Sequence, residues 1–320
     1  MTDLIPASPP ASEITTGQFF ELLTATPEVI TWLENRKSAQ TRETYRVALI
    51  KCMRFLGIET PEALYKIKAT HLIAWRRHLE EDCKESNRTI NNRLSALSSL
   101  FKHLRNKQIV SENPVEGVER LKVRTTTTET PAFAPTHVRA MLDAPDTTTL
   151  AGARDSALLH TFAYTGCRLS EPTRLKVRDL QMNQYYWELV TTIKGGGRHA
   201  RAIPPVLQAA LRHYLSMAGH EDTQDAYLFQ RVKHGKAAPD APLSRQNVDH
   251  IIKKYLKQVL PGSGHTVHSF RATFITQALE RGHPIDAVQK TVGHASMTTT
   301  QAYDKRGYDP KNSACFAVHY

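Results

Sequence analysis

Cysteine is scarce. The chain of 320 residues has four, Cys52, Cys83, Cys167 and Cys315, widely separated and with no CxxC pair. That spacing excludes a disulfide scaffold and suits a reducing compartment. No apolar run approaches the roughly 18 residues of a membrane span. The leading stretch MTDLIPASPPASEITTG has neither a basic n-region nor a long apolar core, which argues against a signal peptide. A GxxxxGK[ST] loop is absent, so a nucleotide-phosphate cradle is excluded, and HExxH is absent too. There is no internal repeat and no heptad run.

What is present is ordinary globular composition with an unusual charge balance. Apolar residues make up 40% and charged residues 23%, yet 42 Lys and Arg face 31 Asp and Glu, a net +11. Residues 1–124 hold 19 basic against 15 acidic side chains, and 125–320 hold 23 against 16. No single tail carries the excess, so the partner it suggests is a polyanion touched by both halves.

Residues 1–14 read as a disordered leader rich in Pro, Ser and Ala. Four helical patterns follow. Thr16 can cap a run that continues past Pro27 through Val29, Trp32 and Leu33. Residues 38–56 place Tyr45, Leu49, Cys52, Met53 and Leu56 on one stripe that Gly57 stops. Thr60-Pro61 opens a third helix through Leu64, Ile67, Leu72, Trp75 and Leu79. The fourth spans about 87–107. These predict a helical domain over 15–117. Residues 118–135, with a Thr run and two prolines, read as an extended linker. Beyond it the chain is mostly helical, except for 185–193 and 199–205, which read as strands of a hairpin around Lys194 and a glycine tip.

Four local signals carry the chemistry. In TGCRLSE, Gly166 ends a helix and Ser170 can cap the next, with Pro172 in its first turn, so Arg168 sits at a stiff junction. Its guanidinium suits a phosphate, or a surface pair with Glu171. Lys194 stands beside three glycines that permit close approach to another molecule, or it is a solvated charge on a plain turn. His268 and Arg271, three apart at a helix start, can address one anion. Gly293-His294 ends a short helix opened by Pro284, and Ser296 can cap a further helix carrying Tyr303 two turns in. A lone tyrosine at that spacing is usually core. Beside two arginines, a lysine and two histidines it is a candidate nucleophile. Metal binding by the 15 histidines finds no supporting motif, so no metal site is expected.

In this order, Arg168, Lys194, His268-x-x-Arg271, His294 and Tyr303 resemble the tyrosine recombinase (phage integrase) family. So do HSFRATFITQALERGHPIDAVQKTVGH and TTTQAY, and the first half resembles that family's SAM-like core-binding domain. The likeness is to short, two-domain, Xer-like members and covers nearly everything from residue 15 onward. It implies a mainly α protein: a helical DNA-binding domain, then a mostly α catalytic domain over 136–320 with a small β-sheet and a tail from 304. It implies that Tyr303 attacks a phosphate to give a 3′-phosphotyrosyl link, held by Arg168 and Arg271. Lys194 protonates the leaving oxygen, His268 takes the tyrosine proton, His294 bonds the phosphate and Glu171 orients its neighbours. The partners implied are duplex DNA with paired inverted repeats, clamped between the domains, and three further copies forming a homo-tetramer on it through a Holliday junction. Free protein would be a monomer or weak oligomer. A cytoplasmic protein of bacterial, phage or mobile-element origin is expected, without metal or ATP.

Arg42 with Arg46, Arg88 with Asn92 and Arg93, and Arg120, Lys122 and Arg124 in the linker are candidate DNA contacts. Type IB topoisomerases and hairpin telomere resolvases use similar residues, but the helical first domain favours recombination. A silent DNA-binding regulator would have lost a catalytic residue, and none is lost.

Overall fold

Glycine and hydroxyl side chains punctuate the helices where the sequence places them. The structure, a computed structural model, describes residues 26–123, 130–192 and 197–304. The chain divides into two units, Met1–Arg124 and Thr125–Tyr320.

In the first unit α1 spans Pro27–Glu34, α2 Ala39–Leu56, α3 Pro61–Tyr65, α4 Ala69–Glu81 and α5 Asn87–Asn106, followed by a 3-10 turn at Pro114–Gly117. Gly57 ends α2 in the left-handed region at φ 62°, and the Ser86 hydroxyl caps α5 by accepting from Thr89 N. The core gathers Trp32, Leu49, Met53, Leu72, Trp75, Leu94, Leu97 and Phe101. The third predicted helix is two helices. From Ile67 to Leu72 is five residues, a swing of about 140° around an unbroken helix. The break between Tyr65 and Ala69 lets both side chains reach the core, where both are buried.

The predicted linker is shorter than 118–135, because both of its ends are packed. Val118 is buried in the first core, and the Asn91 side chain bonds both backbone groups of Leu121. At the other end Phe133 is buried against Phe270 and donates its N–H to Thr273 Oγ1 at 2.7 Å.

The second unit is mostly helical: α6 (Pro135–Asp143), α7 (Leu150–Thr165), α8 (Pro205–Ala218), α9 (Arg245–Val259), α10 (Val267–Glu280), α11 (Ile285–Val292) and α12 (Met297–Gln301). Its sheet runs β1 (Leu180–Met182), β2 (Trp187–Thr192), β3 (Arg198–Ala202), all antiparallel. A second hairpin, β4 (Gln230–Lys233) with β5 (Lys236–Pro242), is absent from the sequence reading. Its turn is His234-Gly235, both at positive φ, as a two-residue hairpin turn requires. The helix predicted after Ser170 is a 3-10 turn, Pro172–Arg174, whose N-cap is Glu171. Ser170 instead accepts the Thr173 hydroxyl through its carbonyl.

Candidate active site

Helix α11 is short and amphipathic, and Gly293 ends it at φ 67°. A helix end leaves its last carbonyls without partners, and the helix dipole makes that end attractive to cations. Here three consecutive carbonyls take three arginines. Thr291 O accepts from Arg201 Nε at 2.7 Å, Val292 O from Arg271 Nη2 at 2.9 Å, and Gly293 O from Arg168 Nη2 at 3.0 Å. Arg271 also donates to Gly166 O at 2.7 Å. Gly166 is the left-handed residue ending α7, and a Cβ there would lie 2.8 Å from the Phe274 ring. Glycine is thus required at this residue for conformation and for space.

A buried carboxylate joins this cluster. Glu171, buried, lies 3.4 Å from Arg168 through Oε1 and 2.8 Å from Arg201 through Oε2. Three guanidiniums gather around this carboxylate and bring positive charge to the site. Its effect is visible in the neighbours. Burial and then Arg168 bring Arg271 down to about 10. Burial, followed by Arg271 and Arg168, brings His294 down to about 4. His268 is lowered by burial and by Arg271, Arg245 and Arg168. At neutral pH Arg271 is charged and the two imidazoles are neutral.

His294 Nδ1 lies 2.9 Å from the Thr300 hydroxyl, which fixes the ring. With the hydroxyl donating, Nε2 carries the proton and can donate to an anion. The ring stacks on Tyr303, centroids 6.1 Å apart and planes at 16°. Tyr303 also packs against the small core of Ile275, Leu279, Val288 and Val292. It lies just past α12, a five-residue helix capped by Ser296, rather than two turns inside a longer one. Its hydroxyl is near enough to Arg271 for the two to interact electrostatically. The structure therefore brings together Arg168, Glu171, His268, Arg271, His294 and Tyr303. Lys194 lies outside the described residues, as do Arg124 and the tail beyond 304.

Two further residues join the cluster. Arg201 is buried, and its Nη1 also donates to Thr191 Oγ1 at 3.0 Å. His199, two residues earlier on β3 and so on the same face, is lowered by burial and by Arg201. The period-2 alternation of β3 was the available signal, with Arg201 opposite the buried Leu189 of β2.

The first-unit candidates are arranged differently. Arg46 makes two bonds to Glu43 at 2.8 and 2.7 Å. Arg93 and Lys51 both bind Glu85. Arg42 donates to Arg36 O at 2.8 Å, and Arg120 to Asn91 O at 2.6 Å. Arg88, Asn92 and Lys122 are exposed.

Comparison with known proteins matches residues 132–308 to the Phage integrase family and 31–108 to the Phage integrase N-terminal SAM-like domain. The tyrosine recombinase XerC of Herpetosiphon aurantiacus is 30% identical over 277 residues, 85% of this chain and 86% of its own. The fold is shared with XerH site-specific recombinase bound to a palindromic substrate in a post-cleavage complex (TM-score 0.65, 16% identity, 92% of this chain and 87% of that one). It is shared also with a lambda integrase dimer bound to a core site (TM-score 0.64, 16% identity, 89% and 97%).

Proposed function

Because the chain belongs to the phage integrase family of tyrosine recombinases, we propose that it cuts and rejoins DNA through a covalent bond to Tyr303. The phenolic oxygen attacks the scissile phosphorus, the bond to the 5′-oxygen breaks, and a 3′-phosphotyrosyl link forms. The tyrosine proton passes to His268, neutral at working pH, and Lys194 gives a proton to the departing 5′-oxygen. Arg168 and Arg271 hold the non-bridging oxygens as charge builds on them, with His294 donating from Nε2. Glu171 and Arg201 keep those two arginines in register. Site-specific recombination fits the family. The finer scheme we propose is exchange between two sites by four copies, through a four-way junction, in the cytoplasm. It needs neither metal nor ATP, because the phosphotyrosine conserves the energy of the broken bond.

The observation that carries this reading is the cluster of arginines bonded to neutral carbonyls beside a tyrosine stacked on a neutral histidine. The domain over 15–117 would supply most of the grip on the duplex, and 136–320 the chemistry.

Tyr303→Phe removes the attacking oxygen and keeps the ring that packs against the small core of α10 and α11. On a substrate nicked near the cut, in excess chelator and without ATP, native protein should form a covalent adduct. Tyr303→Phe should bind the DNA with unchanged affinity and form none. An adduct that persists in Tyr303→Phe and disappears in Tyr308→Phe would refute the assignment. Cleavage lost in chelator and restored by zinc or manganese would refute the metal-free scheme.

A further inference from the structure

A second cluster of reactive groups lies in the first unit, where α4 ends. The backbone N–H groups of Asp82 and Cys83 both donate to His78 O at 3.0 Å, which wraps the chain back over the last turn. This places two side chains on either side of the His78 ring. Asp82 Oδ2 is 2.7 Å from Nδ1, and Cys83 Sγ is 3.4 Å from Nε2. Phe55 stacks on the ring at 4.7 Å and 21°, fixing its plane.

The hydrogen bonds dictate the protonation pattern. An ionised carboxylate only accepts, so in the neutral imidazole Nδ1 carries the hydrogen and Nε2 is left as acceptor. The only hydrogen that can lie between Nε2 and Sγ is then the thiol's own. A nucleophile, a base in reach of its proton, and a third group orienting that base form the arrangement that activates a thiol. The same three groups are poorly placed for a metal, because the imidazole stands between thiol and carboxylate and their donor atoms do not converge. Among the described residues no group of three His, Cys, Asp or Glu side chains could hold one.

The other described thiols differ. Cys52 and Cys167 are buried, and burial pushes both upward, Cys167 to about 12. Cys83 is exposed. Lys84, at φ 51°, turns the chain away immediately after it.

We propose that Cys83 is a thiol–disulfide exchange site for low-molecular-weight disulfides, with His78 as its base and Asp82 orienting that base. Sγ attacks one sulfur of the reagent and its proton moves to His78 Nε2. The reagent's S–S bond breaks, and the released thiolate takes the proton from the imidazolium. The products are a mixed disulfide on Cys83 and one free small thiol, so Cys83 is oxidised and half of the reagent reduced. The adduct would stand two residues from Glu85, the carboxylate that gathers Lys51 and Arg93.

The test uses the full chain and glutathione disulfide near neutral pH, with adducts located by peptide mapping and their initial rates measured by mass spectrometry. Native protein should gain one glutathionyl group at Cys83, and Cys83→Ser should gain none there. His78→Gln should slow the reaction by about tenfold or more, as loss of a positioned base does. Asp82→Ala, a change at an exposed side chain that leaves the fold alone, should slow it by less. Thermal unfolding of each variant checks that the first unit is intact. An equal rate at Cys83 in native, His78→Gln and Asp82→Ala protein would make it an ordinary exposed thiol and overturn the proposal. Modification confined to another cysteine would do the same.

Discussion

Two groups of arginines, one in each unit, are held in opposite ways. In the first, Arg46 and Arg93 are paired with the carboxylates Glu43 and Glu85. In the second, Arg168, Arg201 and Arg271 each rest on a backbone carbonyl of the α11 end, and Glu171 pairs with Arg168 and Arg201. A carboxylate cancels a guanidinium's charge, whereas a carbonyl uses up its directional N–H groups and leaves the charge in place. Burying such a charge is expensive unless its hydrogen bonds are made. The second unit makes most of them, Arg201 Nη2 excepted, and keeps the field, which is what a group meant to stabilise a developing anion requires. The Arg46–Glu43 pair is largely solvated and contributes at most about 1 kcal/mol, whereas Arg93 and Glu85 are partly buried.

The largest expected effect breaks this contrast at its centre. Arg271→Ala should slow cleavage by about 10²–10³-fold through lost charge stabilisation. It should also lower stability, since Gly166 O and Val292 O lose a buried donor. Arg93→Ala should leave the cleavage step itself unchanged once DNA is saturating. Lys194→Ala should lose about 10²–10⁴-fold, the range of a missing general acid. Replacing the bridging 5′-oxygen by sulfur gives a leaving group that hardly needs a proton. It should restore Lys194→Ala and leave Arg271→Ala slow. Single-turnover cleavage of the two substrates decides this, and equal rescue would reduce Lys194 to a positioning role.

A smaller effect is the pH at which each unit weakens. His294, with its folded pKa brought down to about 4, stays neutral in the native state while an unfolded histidine gains a proton below about 6.5. The unfolded state therefore binds more protons across that window, and stability of the second unit falls as pH drops from about 6.5 toward 4. His268 and His199 are lowered and act in the same direction. In the first unit burial raises Glu85, but its bonds to Arg93 and Lys51 prevail and hold it low. Its contribution persists to lower pH and is lost only as pH falls through the folded, depressed value. Hydrogen exchange followed by mass spectrometry should show α10 and α11 losing protection at higher pH than α2 and α5, with the difference reduced in His294→Gln. Loss in both units at the same pH would contradict the assignment of the histidines.

Much of this was legible in the sequence, for identifiable reasons. Helix ends marked by Gly57, Gly166 and Gly293 are local chemistry, and all three take the left-handed conformation. His268 and Arg271 open α10 where their spacing puts them. The Arg201–Glu171 ion pair was not legible, because it joins residues 30 apart through a strand alternation that sequence alone could not orient. Nor was the role of the α11 carbonyls, since every residue has a carbonyl and only the fold selects Thr291, Val292 and Gly293. The β4–β5 hairpin escaped because its turn signal, His234-Gly235, lies between strands of low apolar content.

The smallest expected effect asks whether the first unit's pairing is reversible in the service of binding. Glu43 is held low by its bonds to Arg46, so the pair is ionised at neutral pH and its net charge is close to zero. Glu43→Gln keeps the side-chain shape and removes the cancelling charge. Because the pair is exposed, stability should change by about 0.5 kcal/mol or less. If Arg46 meets a DNA phosphate, affinity should rise a few-fold, and the slope of log affinity against log salt should steepen by about 0.9 or less. Removing any acidic group near DNA would raise affinity somewhat, so the decisive comparison is a double-mutant cycle. In an Arg46→Gln background the gain from Glu43→Gln should vanish if it acts through the freed guanidinium. A gain of the same size in both backgrounds would mean that Arg46 stays with its own unit's surface and that only the general field had changed.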